Sequence, residues 1–172
     1  MAANNSLKDY QATILARLEE AKKVGSAESA GSLGVVIAGK QVLVNMREIS
    51  ETLPLMTLYP VPLVKSWFLG VANVRGVLYA VNDIGQLISG VPTPLSASAR
   101  VLLINNDIAA HVSLLVEKLI GLRKVELMQR IEAPEAPDFC MKSEVYADEA
   151  GKIWYVLDCN QLVLAKEFIQ VY

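Results

Sequence analysis

The sequence predicts a mostly β fold carrying one additional N-terminal α-helix, and three observations predict it. Residues 6–23, SLKDYQATILARLEEAKK, place Leu7, Tyr10, Ile14 and Leu18 three and four apart, the spacing of a single apolar helical stripe. From Val35 onward the pattern changes to short apolar runs broken by turn residues, which reads as many short strands. The stretch GVLYAVNDIGQLI, starting at Gly76, is echoed by GKIWYVLDCNQLV, starting at Gly151, with Gly, Val, Asp, Gln and Leu in step. Such an echo suggests two related halves, each forming one small barrel. A chain of 172 residues suits one domain built of two such lobes.

In order along the chain, the helix occupies residues 1–24, with Ser6 and Asp9 as a short capping box and Lys22 and Lys23 at the negative end of its dipole. Its stripe packs on its own domain or on another chain; the sequence favours neither. GSAESAGSLG, residues 25–34, is a small-residue linker. The two-lobed domain follows over 35–165, and residues 166–172 form a C-terminal tail. VVIAGKQVLVN reads as a hairpin with Gly39-Lys40 at its tip. Residues 67–83 supply two strands on either side of a turn at Asn73–Gly76. RVLLINNDIAAHVSLL forms another hairpin around Asn105-Asn106-Asp107, and residues 145–157 hold at least one further strand.

Composition removes several function classes. Hydrophobic residues make up 53% of the chain, so a membrane span has to be tested first. The longest uncharged run, Ile84 to Ala99, contains Gly85, Gly90, Pro92 and Pro94, and Leu53 to Val64 carries three prolines; neither is a spanning helix. The N-terminal MAANNSLKDYQ lacks the basic flank and apolar core of a secretory signal, which predicts a cytoplasmic protein without direct membrane insertion. The apolar excess belongs to a strand-rich interior, to surface patches that meet partners, or to both. Sixteen basic against eighteen acidic residues, with no run of one sign, leave no basic footprint for nucleic acid.

Nothing in the spacing supports catalysis. His111 is the only histidine and reads as a strand residue at a surface or edge. Cys140 and Cys159 lack CxxC or histidine spacing, so no metal centre is predicted. No glycine-rich phosphate loop follows a strand, and no cofactor is implied. Asp83 and Asp158 each open a helical turn, where a carboxylate serves as an N-cap rather than as one of a catalytic pair. Arg75 is the unusual residue: it interrupts a stretch that otherwise reads as buried strand, and a guanidinium is almost never buried without a partner. It either makes local hydrogen bonds at a turn or is held out towards another molecule.

Residues 61–88, VPLVKSWFLGVANVRGVLYAVNDIGQLI, resemble the central signature of the CheW-like chemotaxis coupling domain. Val61-Pro62, Trp67, Gly70-Val71, Asn73, Arg75-Gly76, Val81 and Asp83 stand in register with that pattern. LLVEKLIGLRKV resembles a later strand of the family, with Glu117 where Asp is usual, and Gly151 to Leu162 resembles its closing strand and helical turn. Ala80, Lys65 and Gly85 depart from the residues common there, Pro, Pro and Arg. The N-terminal helix and overall length are similar to the branch that serves type IV pilus twitching motility.

The resemblance implies two SH3-like, five-stranded β-barrel lobes and no enzymatic activity. It implies an adaptor linking the cytoplasmic tip of a methyl-accepting chemoreceptor to the regulatory domain of a CheA-type histidine kinase, recruited to membrane-associated receptor arrays and assembling with kinase into rings. Arg75, Glu51, Ile49 and Asn73 would be the partner-binding residues, on or near a receptor-facing groove between the lobes. Pro62, Trp67, Gly70, Gly76, Asp83, Gly151 and Asp158 would be structural. A small-ligand sensor on the same double barrel, with the cleft between lobes as its pocket, is the alternative reading.

Overall fold

The computed structural model describes residues 31–172; the predicted helix over 6–23 and the linker before residue 31 lie outside the described residues. Strand β1 (Ser32–Ile37) begins inside the stretch that composition assigned to the linker. It turns back into β2 (Lys40–Asn45) through Ala38 and Gly39, whose φ angles of 49° and 74° are the two consecutive positive values of a type I′ turn. The tip therefore falls one residue earlier than expected, because Lys40 already pairs with Ile37. Next come β3 (Ile49–Pro54), β4 (Phe68–Val74), β5 (Val77–Asp83) and helix α1 (Ile84–Ser89). Strands β6 (Arg100–Ile104), β7 (Val112–Val116) and β8 (Lys118–Arg123) lead to a 3-10 turn at Val125–Leu127. The described chain closes with β9 (Gln129–Ile131), β10 (Val145–Ala147), β11 (Ile153–Val156), α2 (Cys159–Leu164) and α3 (Lys166–Ile169).

These strands form two sheets, ordered β3-β6-β7-β5-β4 and β8-β1-β2-β11-β10-β9. The echo seen in the sequence is a repeat of topology. In each sheet an antiparallel trio (β3-β6-β7 and β8-β1-β2) meets a strand running parallel to its third member, β5 beside β7 and β11 beside β2. Two corrections follow. The lobes do not correspond to the two halves of the chain, since β1 and β2, at the start of the described residues, complete the sheet that β8 to β11 supply. That sheet also has six strands instead of five: β9 adds itself to β10, and three residues are too few for an alternating pattern to reveal.

Period-2 side-chain alternation lets β6 and β7 bury both faces. Val101, Leu103 and Leu115 point into the core of their own sheet with Ala72, Val74, Val81 and Ala99. Leu102, Ile104, Leu114 and Val116 point the other way and share a larger core with Leu33, Val35, Val42 and Val44 of the six-stranded sheet. The β7–β8 connection is pinned to the β1–β2 hairpin as well. Glu117 donates its N–H to Val36 O at 3.0 Å, and its Oε1 accepts from Gly39 N at 2.8 Å. The segment expected as a tail is docked: Phe168 of α3 is buried and stacks on Trp67, with ring centroids 5.7 Å apart. Lys65 N–H donates to Val171 O at 2.7 Å.

Candidate functional site

The β4–β5 hairpin turns at Arg75 and Gly76, with φ angles of 52° and 87°. Asn73 Oδ1 accepts from Gly76 N at 2.8 Å and closes the turn. Asn73 was expected to meet a partner, and here its side-chain oxygen serves the turn. With two residues in the left-handed region the hairpin keeps its twist, and the Arg75 side chain is carried off the sheet into solvent. Across the sheet, the guanidinium meets Glu51 of β3 in a two-pronged ion pair: Nη1 to Oε2 at 2.7 Å and Nη2 to Oε1 at 2.6 Å. The hydrogen bond from Arg75 holds the Glu51 carboxyl below its ordinary value, and the same bond raises the Arg75 guanidinium. Arg75 remains 72% exposed and Glu51 32%. The planar fork is thus oriented by one carboxylate while its outer edge stays open to another acceptor.

Ile49 does not share this surface. It is 8% exposed and packs in the core common to both sheets, because a bulge at Ser50 turns Glu51 outward and Ile49 inward. Two neighbours escaped sequence reasoning. Tyr79 of β5 packs edge-to-face against His111, ring centroids 5.6 Å apart, and lies near Arg75. His111 is not in a strand: it stands just before β7 with φ 58°, and its carbonyl accepts from Ala80 N. The groove between the lobes is lined by Phe68, Ala80, Val112, Val163, Phe168 and Ile169, and Arg75 is not among its lining residues.

The structural residues of the motif act locally. Trp67 is buried and its carbonyl accepts from Asp83 N at 2.7 Å. Asp83 caps α1 by accepting from Gln86 N, and Asp158 caps α2 by accepting from Gln161 N, both at 2.9 Å. Pro62 is exposed beside Leu63, which has φ 60°. Gly151, φ 74°, completes the β10–β11 turn around Asp148, whose Oδ1 accepts from Ala150 N and Lys152 N.

Glu48, Cys140 and Cys159 are among the titratable groups buried away from this surface. Glu48 is 8% exposed, hydrogen-bonded to the backbone and thiol of Cys159, and its Oε2 has no partner. Burial raises its carboxyl above the ordinary value, and the Cys159 bonds only partly offset this. Burial likewise pushes the Cys140 thiol up to about 12 and raises that of Cys159. Both cysteines are free. Since the folded carboxyl of Glu48 holds its proton more tightly than the unfolded one, its ionised form weakens the fold at neutral pH. That penalty fades as pH falls towards 4.5. Glu48→Gln is expected to stabilise the protein by about 1 kcal/mol at pH 7–8, a rise of about 2–4 °C in Tm. Melting curves across pH should show this gain shrinking on acidification; a gain independent of pH would contradict it.

Among the described residues, no helix is long and apolar enough to cross a membrane, and no group of three or more His, Cys, Asp or Glu side chains is placed to hold a metal ion. The model of the CheW-like domain matches residues 32–167. This chain belongs to the CheW-like domain family. It is 29% identical over 98 residues to protein PilI of Pseudomonas aeruginosa, a match covering 57% of this chain and 54% of that protein, so it spans about half the length of that relative. The scaffolding protein TtCheW of Thermoanaerobacter tengcongensis shares the fold, with a TM-score of 0.66 at 12% identity over 80% of this chain and 94% of that one. The CheW-like match takes in both sheets, α1, α2 and the hairpin that carries Arg75.

Proposed function

We propose that this chain is a non-enzymatic adaptor. It couples the cytoplasmic tip of a chemoreceptor to the regulatory domain of a CheA-type histidine kinase, in a cytoplasmic chemosensory pathway that controls type IV pilus twitching motility. Membership of the CheW-like family supports the scaffold role, and likeness to PilI supports the pilus pathway. The observation that carries the proposal is the Arg75–Glu51 pair: a fork on the β4–β5 turn, oriented by a carboxylate of β3, yet largely exposed. An arginine serving only its own turn has no need of a second strand to orient it. Arginines presented in this way are frequent anchors of protein interfaces.

Arg75→Ala is expected to weaken binding of receptor tip or kinase regulatory domain at least tenfold. The melting temperature should stay within about 2 °C, as for other exposed sites. Titration calorimetry with each partner, beside a thermal melt, checks both halves of this expectation. If both partners bind the variant as tightly as the parent, Arg75 is a turn residue and the proposal loses its support. A metabolite sensor is less well matched by the groove between lobes. Its lining is apolar apart from Asn82, whose amide is already engaged in donating to Ser113 O at 3.0 Å.

A further inference from the structure

The two sheets can be superposed strand by strand from their registers. One row of paired residues reads Glu51–Leu103–Ser113–Val81, and its counterpart reads Gly121–Gly34–Leu43–Val156. Val81 and Val156 are matched positions of the sequence echo, and Glu51 and Gly121 each follow a bulged residue, Ser50 and Ile120. Gly76 and Gly151 match at the hairpin turns, so Arg75 corresponds to Ala150. The ion pair that covers this end of the five-stranded sheet is thus replaced, in the six-stranded sheet, by glycine and alanine.

Beside Ala150 lies a groove of about 520 Å³. One wall comes from β8 and the turn after it, with Arg123 and Lys124; the other comes from the β10–β11 turn, with Asp148 and Glu149. The β8 wall also carries Leu122 and Leu127, which are 67% and 69% exposed. Asp148 is held ionised, chiefly by the hydrogen bond from Trp154 Nε1. Exposed leucines on a basic wall that faces an acidic one give this surface both an apolar and a charged means of contact.

We infer that this groove is an isologous docking surface on which a second copy of the same chain sits. The argument is charge complementarity. A two-fold axis lying in the interface and running along the groove lays each copy's basic wall, with its exposed leucines, over the other's acidic wall. A uniformly charged rim would repel its own copy; a bipolar one attracts it. The surface lies in the opposite sheet from Arg75, so the inference stands apart from the receptor–kinase proposal.

Sedimentation velocity of the full chain, from about 1 to 500 μM, tests it. The parent is expected to show a reversible monomer–dimer equilibrium that weakens with added salt. Leu127→Asp and Lys124→Glu should each weaken it at least tenfold, with unchanged circular dichroism and melting. Lys124→Glu combined with Glu149→Lys should restore it, and Arg75→Ala should leave it unchanged. A chain that stays monomeric throughout overturns the inference, even if another protein binds this face. So does a dimer indifferent to Leu127→Asp and Lys124→Glu, or one that the charge exchange does not restore.

Discussion

Gly70→Ala is expected to destabilise the fold by about 3 kcal/mol or more, the largest effect of any single methyl group added to the signature. Gly70 lies in β4 with φ 125°, a backbone conformation that L side chains rarely adopt. A Cβ there would stand 2.2 Å from Tyr59 O and 2.9 Å from Pro60 Cα, backbone atoms that have no rotamer to change. Tyr59 and Val71 exchange two backbone hydrogen bonds at this point, so relief of the clash must separate the loop from the edge strand. Gly76→Ala makes the control. Its φ is 87° but no atom lies within 4 Å of the added Cβ, and it should cost only the conformational penalty of about 1 kcal/mol. Urea denaturation of the two variants should separate them by about 2 kcal/mol; equal losses would mean that dihedral preference alone governs both sites.

Asp83→Ala is expected to cost about 3 kcal/mol, against about 1 kcal/mol for Asp158→Ala. The two aspartates hold matched places in the repeat and cap equivalent helices. Their surroundings differ. Asp83 is 1% exposed, and beyond Gln86 N it accepts from Thr93 N at 2.7 Å and Thr93 Oγ1 at 2.6 Å. Its carboxylate therefore ties the segment after α1 back onto the sheet, and its loss strands three donors. Asp158, half-buried, accepts from Gln161 N. Alanine at Asp158 should leave a frayed α2 on an intact fold. Chemical denaturation of both variants checks the ratio, and equal costs would show that the Thr93 bonds contribute nothing. Gly85 has a related part, since a Cβ at that position would meet Thr93 Oγ1 at 2.6 Å. The residue that departs from the family pattern is thus matched to the threonine it faces.

Much of the fold was legible because its signals are local. Hairpins announce themselves by turn residues between apolar runs, and Asp83 and Asp158 as caps need only the helical turns they open. Where the reading slipped, the deciding interaction was remote. The Ala38-Gly39 tip was misplaced by one residue because register, not glycine position, sets it. Strand β9 is three residues long and exists only through β10. The C-terminal segment carries no strong pattern of its own, and Trp67, a hundred residues earlier in the chain, holds it down. The site divided in the same way: Arg75, Asn73 and Gly76 belong to one turn, whereas Tyr79 and His111 join it through the pairing of β5 with β7.

By itself, then, the sequence determined the strand-rich class, the repeat, the helix caps and the family signature, since each depends on residues a few positions apart. Tertiary structure alone decided that β1 and β2 complete the sheet of β8 to β11, that Ile49 is core while Glu51 is surface, and that Arg75 has a carboxylate to hold it. It also decided that the corresponding end of the other sheet is left open. These outcomes rest on sheet register and on a single bulged residue, which side-chain chemistry along one strand does not encode.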